Sequence, residues 1–297
     1  MSSSTLAQAR SRFQVGDFQG TLDKIEASSI PPFTNEEIDS LRFRSLVLLN
    51  KSEQAIKELS NSDQSLPHLS ALLAFSRSSS PETTLEQKQN ILKELSVNET
   101  KPGWGDNLTF RTVQSLLCTQ CNELTDSLKS LLLSNRDQLE ILSLTVSTLI
   151  SMNHPKKART VLDDMQSINP EATLTQLSSA LISFHSGNFQ EALEIYEDLL
   201  SKHGKTPLLL SLQASALIQL GQFNKAETSL HESLEISPSD LPTLQTMIVC
   251  QVRKNTTESR EKADELIAKV RADYPNSAFA LEQAEFDRSL EQLRLNQ

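Results

Sequence analysis

Glycine and tyrosine are scarce in this 297-residue chain, with seven glycines, two tyrosines and one tryptophan. Sheets and tight hairpins draw on aromatic and β-branched residues and on glycine turns. The shortage, beside abundant Leu, Ser, Glu, Gln and Ala, excludes a sheet-rich fold and favours helices. So few glycines also leave no P-loop, dinucleotide fingerprint or nucleophile elbow. The three cysteines, Cys118, Cys121 and Cys250, are an odd number in a chain long enough to build its own core, so reduced thiols are expected rather than a disulfide framework. No stretch reaches the eighteen or so uninterrupted apolar residues of a membrane span, and MSSSTLAQARSRF has no apolar signal core. The chain is therefore expected to be soluble and cytosolic. Its net charge of −10 opposes docking on nucleic acid or anionic lipid. Membrane association is expected only through a partner.

A repeat is present instead. Gly187-Asn188-Phe189-Gln190-Glu191-Ala192 and Gly221-Gln222-Phe223-Asn224-Lys225-Ala226 share the pattern G-x-F-x-x-A, and 221 minus 187 is 34, the period of the tetratricopeptide repeat (TPR). One step back, Asn153 takes the glycine position and Ala158 stays in register. Asn, like Gly, tolerates the left-handed backbone that a turn between antiparallel helices requires. Pro170 and Pro238 each lie 17 residues past a turn, where one helix can end and the next begin. One step forward, Asn255 keeps the frame but Ala263 is displaced, as an insertion around Thr256 to Ser259 explains.

Each unit reads as two helices, the clearest from about Pro207 to Leu220 and from about Asn224 to Ile236. Small Ala180, Ala192, Ala214 and Ala226 permit close helix approach, and Leu210, Leu217, Tyr196 and Leu230 are assigned to the core between helices. In the N-terminal half, Gly16 and Asn50, again 34 apart, suggest two helical pairs before about residue 62. The stretch 76–107 departs from the pattern, with a polar helix near Glu82 to Leu95 and a loop carrying Lys101-Pro102-Gly103-Trp104-Gly105. Another pair follows from Asn107 to Leu133, and Ser277 to Leu295 reads as a final amphipathic helix suited to cap the stack. The expected fold is thus all-α, a TPR-like solenoid of antiparallel helix pairs with a C-terminal capping helix. Its two segments are a degenerate 1–136 carrying a polar insertion near 76–107 and a regular 137–297.

Catalytic, cofactor and metal sites are expected to be absent. Cys118-Thr119-Gln120-Cys121 lacks the second ligand pair of a zinc site and the strand-to-helix junction of a redox site, so both thiols read as packing. His68, His154, His185, His203 and His231 are scattered, in no spacing that metal or nucleophilic catalysis uses.

Function should lie along the first helices of the repeats, which line the concave face of such stacks. The frame places Leu174, Leu177, Leu181 and Phe184 there, then Ser211, Ser215 and Ile218, then Gln245, Val249 and Val252. The leucines and Phe184 are either buried against the next helix of the chain or form an apolar strip awaiting a partner. On the second reading, replacing Leu177 and Leu181 with Asp is expected to abolish binding and leave helicity intact. Chaperone-type TPR proteins hold a ligand carboxylate with Lys, Arg and Asn, where this chain carries Leu, Ser and Gln, so a carboxylate clamp is not expected.

The stretches Ala172-Thr173-Leu174-Thr175-Gln176-Leu177, Thr206-Pro207-Leu208-Leu209-Leu210 and Glu285-Phe286-Asp287-Arg288 resemble the epsilon subunit family of coatomer, the COPI vesicle coat. The resemblance is close from about residue 139 to 295 and looser before it. It implies a non-catalytic, TPR-like coat subunit that binds the C-terminal domain of the coatomer alpha subunit and stabilises it within the coat. The implied transport runs from Golgi to endoplasmic reticulum and within the Golgi. The implied location is the cytoplasm, peripheral on Golgi membranes and COPI vesicles, without cofactor, nucleic acid or small-molecule substrate. A TPR adaptor of another cytosolic assembly, such as a chaperone or degradation complex, is the alternative.

Overall fold

Left-handed residues punctuate the chain at Gly16, Asn50, Asn122, Asn153, Gly187, Gly221 and Asn255, with φ between 57° and 85°. At the regular turns the residue that follows donates its N–H to the carbonyl five positions back, as in Asn188 to Ser183 and Gln222 to Leu217, both 2.9 Å. That bond satisfies an orphan carbonyl of the first helix and reverses the chain into the second. The computed structural model describes residues 3–28, 31–80, 82–134 and 138–295, and among them every regular element is a helix.

The pairs are α1 (Ser3–Gln14) with α2 (Phe18–Ala27), α3 (Glu36–Leu48) with α4 (Ser52–Ser60), α5 (Pro67–Ser78) with α6 (Leu85–Asn98), and α7 (Leu108–Gln120) with α8 (Leu124–Leu132). The regular half continues with α9 (Leu139–Ser151) and α10 (Pro155–Ile168), α11 (Thr173–His185) and α12 (Phe189–His203), α13 (Pro207–Gln219) and α14 (Phe223–Ile236), and α15 (Leu241–Lys254) and α16 (Thr257–Asp273). Helix α17 (Ala278–Leu295) follows. The frame residues behave as their sizes require. Ala158, Ala180, Ala192, Ala214 and Ala226 are fully buried, and Leu210, Leu217, Tyr196 and Leu230 pack in the core. Displaced Ala263 is buried too, but not through an insertion: α16 starts two positions after Asn255, as α12 and α14 start two after Gly187 and Gly221, and Ser259 and Ala263 are buried where the frame would have put the exposed Arg260.

The departure near 76–107 resolves into a helix with a pinned loop. Thr84 and Gln87 cap α6 reciprocally, and the polar side chains of α6 face outward. The following loop is tied to α7 by Arg111, whose Nε donates to the Gly105 carbonyl at 2.7 Å and whose Nη1 donates to Glu99 Oε1 at 2.5 Å. Gln114 donates to the other Glu99 oxygen at 2.8 Å. Trp104 is buried edge-on to Phe110, with Lys101 over its outer ring face at 4.5 Å. The one tryptophan of the chain thus anchors the loop in the core.

At the other end, α17 packs through Phe279, Ala280 and an Arg271–Asp287 ion pair of 2.7 Å. Leu281, Phe286 and Leu290 stay exposed, so the helix covers the stack mainly through its first turns.

The two halves also meet. The α1–α2 turn reaches across to the α12–α13 junction, where the Thr206 hydroxyl donates to the Val15 carbonyl at 2.6 Å. Val15, 2% exposed, shares a small apolar cluster with Leu199 and Leu209, against which Leu177, Ile195 and Leu200 pack. Helix α1 also touches α11. A second tie joins Arg44 of α3, lying over the Phe13 ring, to Glu140 of α9 at 2.6 Å. The helical stack therefore closes on itself.

Candidate functional site

The first helices α11, α13 and α15 carry the residues placed on the concave face, and burial separates them. Leu174 and Leu181 are half-buried against the α9–α10 core around Leu142, Val146 and Ile182. Leu177 and Phe184 turn the other way, into the core shared by α12, α13 and α14, with Phe184 edge-on to Phe189 at 5.2 Å. Of the two readings of this strip, packing against the chain's own neighbours accounts for most of its apolar surface. Asp at Leu177 or Leu181 would place a charge within that packing, so helicity is not expected to survive the double change.

On α13, Ser211 (6% exposed) and Ile218 (2% exposed) are core residues, and neither offers a surface to a partner. Ser215 is half-buried and donates back to the Ser211 carbonyl at 2.9 Å. On α15, Gln245 is half-buried while Val249 and Val252 stand 46% and 53% exposed. The trend has a geometric cause. Helix α11 packs beside α9 and, at Leu177, the α1–α2 turn, and α13 packs beside α15, whereas α17 leaves the far side of α15 open at Val249 and Val252.

Three frame rows thus run Leu177–Ser211–Gln245, Leu181–Ser215–Val249 and Phe184–Ile218–Val252. The middle row is the one accessible at every step, and it ends in open apolar surface. Cations here are engaged, with Lys254 paired to Glu227 at 2.9 Å and Arg253 donating to Gln219 at 2.9 Å. A mixed lining of this kind suits shape and apolar complementarity to a protein segment better than recognition of a charged terminus.

No group of three or more His, Cys, Asp and Glu able to hold a metal occurs among the described residues. Cys118, Cys121 and Cys250 are free and buried. Burial pushes the Cys118 thiol up to about 12, which removes the thiolate that redox or nucleophilic chemistry needs. One polar pair escaped the sequence reading: His68 Nε2 lies 3.9 Å from Oδ2 of the buried Asp39. Asp39 Oδ1 accepts from the Phe33 amide at 2.9 Å and so holds a turn in which Phe33 has φ 66°. Its role is to fix that turn, and residues 29 positions apart gave no spacing signal. Outside the first-helix face, a cleft of about 700 Å³ lies between α12 and α14. Its rim of Gln190, Gln213, Lys225 and Ser229 is bridged by the Lys205–Glu232 ion pair at 2.9 Å.

Val15 and Thr206, which tie the α1–α2 turn to the α12–α13 junction beside this face, were also missed by the sequence frame. Gly16 was legible as a turn but not as a contact.

Comparison with known proteins gives this arrangement relatives. The sequence matches the family model of the coatomer epsilon subunit over residues 2–294. It is 29% identical to coatomer subunit epsilon-2 of Arabidopsis thaliana over 259 residues, covering 86% of this chain and 85% of that one. It is 27% identical over 295 residues to coatomer subunit epsilon of Caenorhabditis elegans, with 95% and 96% covered. Among solved structures, it resembles a tetratricopeptide repeat protein from Parabacteroides merdae with TM-score 0.56 and 16% identity, covering 86% of this chain and 92% of the other. It also resembles a chain of the APC/C hetero-tetramer Cut9–Hcn1 with TM-score 0.61 and 14% identity, covering 95% and 55%. At such identities the structural likeness speaks for the TPR-like fold alone.

Proposed function

The chain belongs to the coatomer epsilon subunit family, and on that premise we propose that it binds and stabilises the C-terminal domain of the coatomer alpha subunit within the COPI coat. The observation that supports this reading most is the match to the family over nearly the whole chain, residues 2–294. Members of this family are structural components of the coat, and the chain acts by holding a partner rather than by chemistry. Its work supports transport from Golgi to endoplasmic reticulum and within the Golgi, on the cytoplasmic side of the membrane. No helix among the described residues is long and apolar enough to cross a bilayer, in keeping with recruitment through the rest of the coat.

The partner lies along the middle row of first helices. It buries Val249 and Val252 and runs past Gln245 and Ser215 toward Leu181, Leu177, Leu174 and Phe184, which it meets at their half-exposed edges. The regular segment 137–297 provides this face, and segment 1–136 provides the helices that close the stack against it. Apolar burial at Val249 and Val252 supplies the attraction, and the curved stack orders a protruding element of the partner.

The test is recovery of partners from cytosol with the tagged chain, beside a Val249→Asp, Val252→Asp variant checked for unchanged helicity. Coatomer subunits led by alpha, lost with the variant, are the expected outcome. Recovery of chaperones alone, or of nothing reproducible, contradicts the coat function.

A further inference from the structure

We infer that the α1–α2 turn is a latch that opens and closes over the first-helix face and gates a partner's access to it, a reading that rests on the proposed use of that face. The seat of the turn is small, and the Arg44–Glu140 tie between the two halves is made by other residues. Val15 belongs to a small cluster with Leu199 and Leu209. The core that the first hairpin shares with α3, built from Ala9, Ile25, Ile38 and Leu41, is separate from it. Lifting the turn therefore separates Val15 from its seat without tearing the hairpin's own packing. Segments held by few apolar contacts are the ones that open first.

The seat is specific. Thr206 Oγ1 donates to the Val15 carbonyl at 2.6 Å while accepting from the Leu209 amide at 3.3 Å. Gly16 lies so near α13 that a Cβ placed on it would stand 2.6 Å from Leu208 Cβ, whereas nothing lies within 4 Å of a Cβ placed on Gly187 or Gly221. The turn glycine that recurs through the repeats has acquired a second task at this position, the close approach of its backbone to the Leu208 side chain.

What the latch covers gives it a consequence. Val15 packs with Leu177 of α11, one of the residues proposed to meet the partner. With the turn seated, Leu209 is buried and Leu177 is half-buried. With it lifted, Leu177 adds its covered side to the surface beside Leu181, where the row that leads to Val249 begins. A partner that needs this end of the face binds the open state, and its apparent affinity and association rate fall with the fraction of molecules open.

A reversible lock tests this. In a Gly16→Cys, Leu208→Cys variant the two Cβ positions, 2.6 Å apart on the parent backbone, withdraw by about 1–2 Å to reach the separation of about 3.5–4.5 Å that a disulfide spans. Association with the purified C-terminal domain of the alpha subunit is measured for the oxidised and reduced forms of the same preparation. The oxidised form is expected to associate at least about tenfold more slowly, with reduction restoring the rate. Equal rates in the two forms overturn the gate. A measurement without partner runs beside it, hydrogen exchange of the Thr206→Val variant. Faster exchange in α1 and the start of α13 together, with the Gly221 turn unchanged, is expected; unchanged exchange in both segments overturns the latch itself. If the reduced form fails to bind the alpha domain while exchange shows the coupled opening, the proposed function falls and the latch stands.

Discussion

Thr206 and Val15, 191 positions apart, share one hydroxyl bond of 2.6 Å, and the same oxygen caps α13 by accepting the Leu209 amide. Thr206→Val keeps the shape and removes both bonds. A lost cap and a lost buried hydrogen bond together predict destabilisation of about 2 kcal/mol. Urea unfolding of Thr206→Val beside Thr206→Ser checks it, since serine retains the oxygen and should recover most of the loss.

Gly16 and Gly221 form a controlled pair, with φ 83° and 74°. Alanine at either pays the left-handed strain of about 1 kcal/mol. At Gly16 alone the new methyl also meets Leu208, and overpacking of that kind adds about 1–3 kcal/mol. Gly16→Ala should therefore lower the unfolding midpoint clearly more than Gly221→Ala.

Arg44, nearly buried, reaches from α3 to the half-exposed Glu140 of α9. A double-mutant cycle of Arg44→Met and Glu140→Gln should give a coupling of about 1 kcal/mol, modest because Glu140 remains open to water and salt. The coupling should shrink as sodium chloride is raised.

Leu181 and Val249 occupy equivalent positions 68 residues apart, two repeats of the frame, but in different surroundings. Aspartate at Leu181 introduces a charge at the α9–α10 core and should cost several kcal/mol. Aspartate at Val249 should cost about 0.5 kcal/mol or less. Circular dichroism melts of the two variants distinguish a core position from a surface one.

Two carboxyls respond to pH in opposite senses. Burial raises the Asp39 carboxyl, and the Phe33 amide and His68 only partly offset it. Its folded form holds the proton more tightly than the unfolded chain does, so ionising it subtracts stability as pH climbs above about 4. Asp39→Asn should raise the melting temperature at pH 7. Glu99 differs, because burial pushes it up but the Gln114 and Arg111 hydrogen bonds and the Arg111 charge bring it down overall. It stabilises the loop above about pH 4 and loses that contribution as pH falls through the carboxylate range. Glu99→Gln should flatten the acid limb of stability, read from melting temperatures between about pH 3 and 7.

Much of this architecture is written locally. Gly187, Gly221 and Asn255 can be read from sequence because a left-handed turn admits few residue types, and the alanines five positions after the regular turns follow from close helix approach. The span 76–107 resists the frame because the junction between α5 and α6 has no left-handed residue among the described residues, and α6 starts instead from the Thr84–Gln87 capping box. The face was half legible. Helical periodicity puts Leu174, Leu177 and Leu181 on one side of α11, yet a first helix in a stack is covered from two directions, and periodicity cannot say which neighbour takes which leucine. The closure is a still longer step. Val15 and Thr206 are ordinary residues whose meeting depends on the curvature accumulated over five helical pairs, and no local signal encodes that sum.

Isothermal titration of the purified chain with the isolated C-terminal domain of the alpha subunit measures the proposed complex directly. A one-to-one complex whose heat disappears with the Val249→Asp, Val252→Asp variant, folded as the parent chain is, is the predicted result. Absence of binding by the parent chain, or undiminished binding by the variant, would contradict the account.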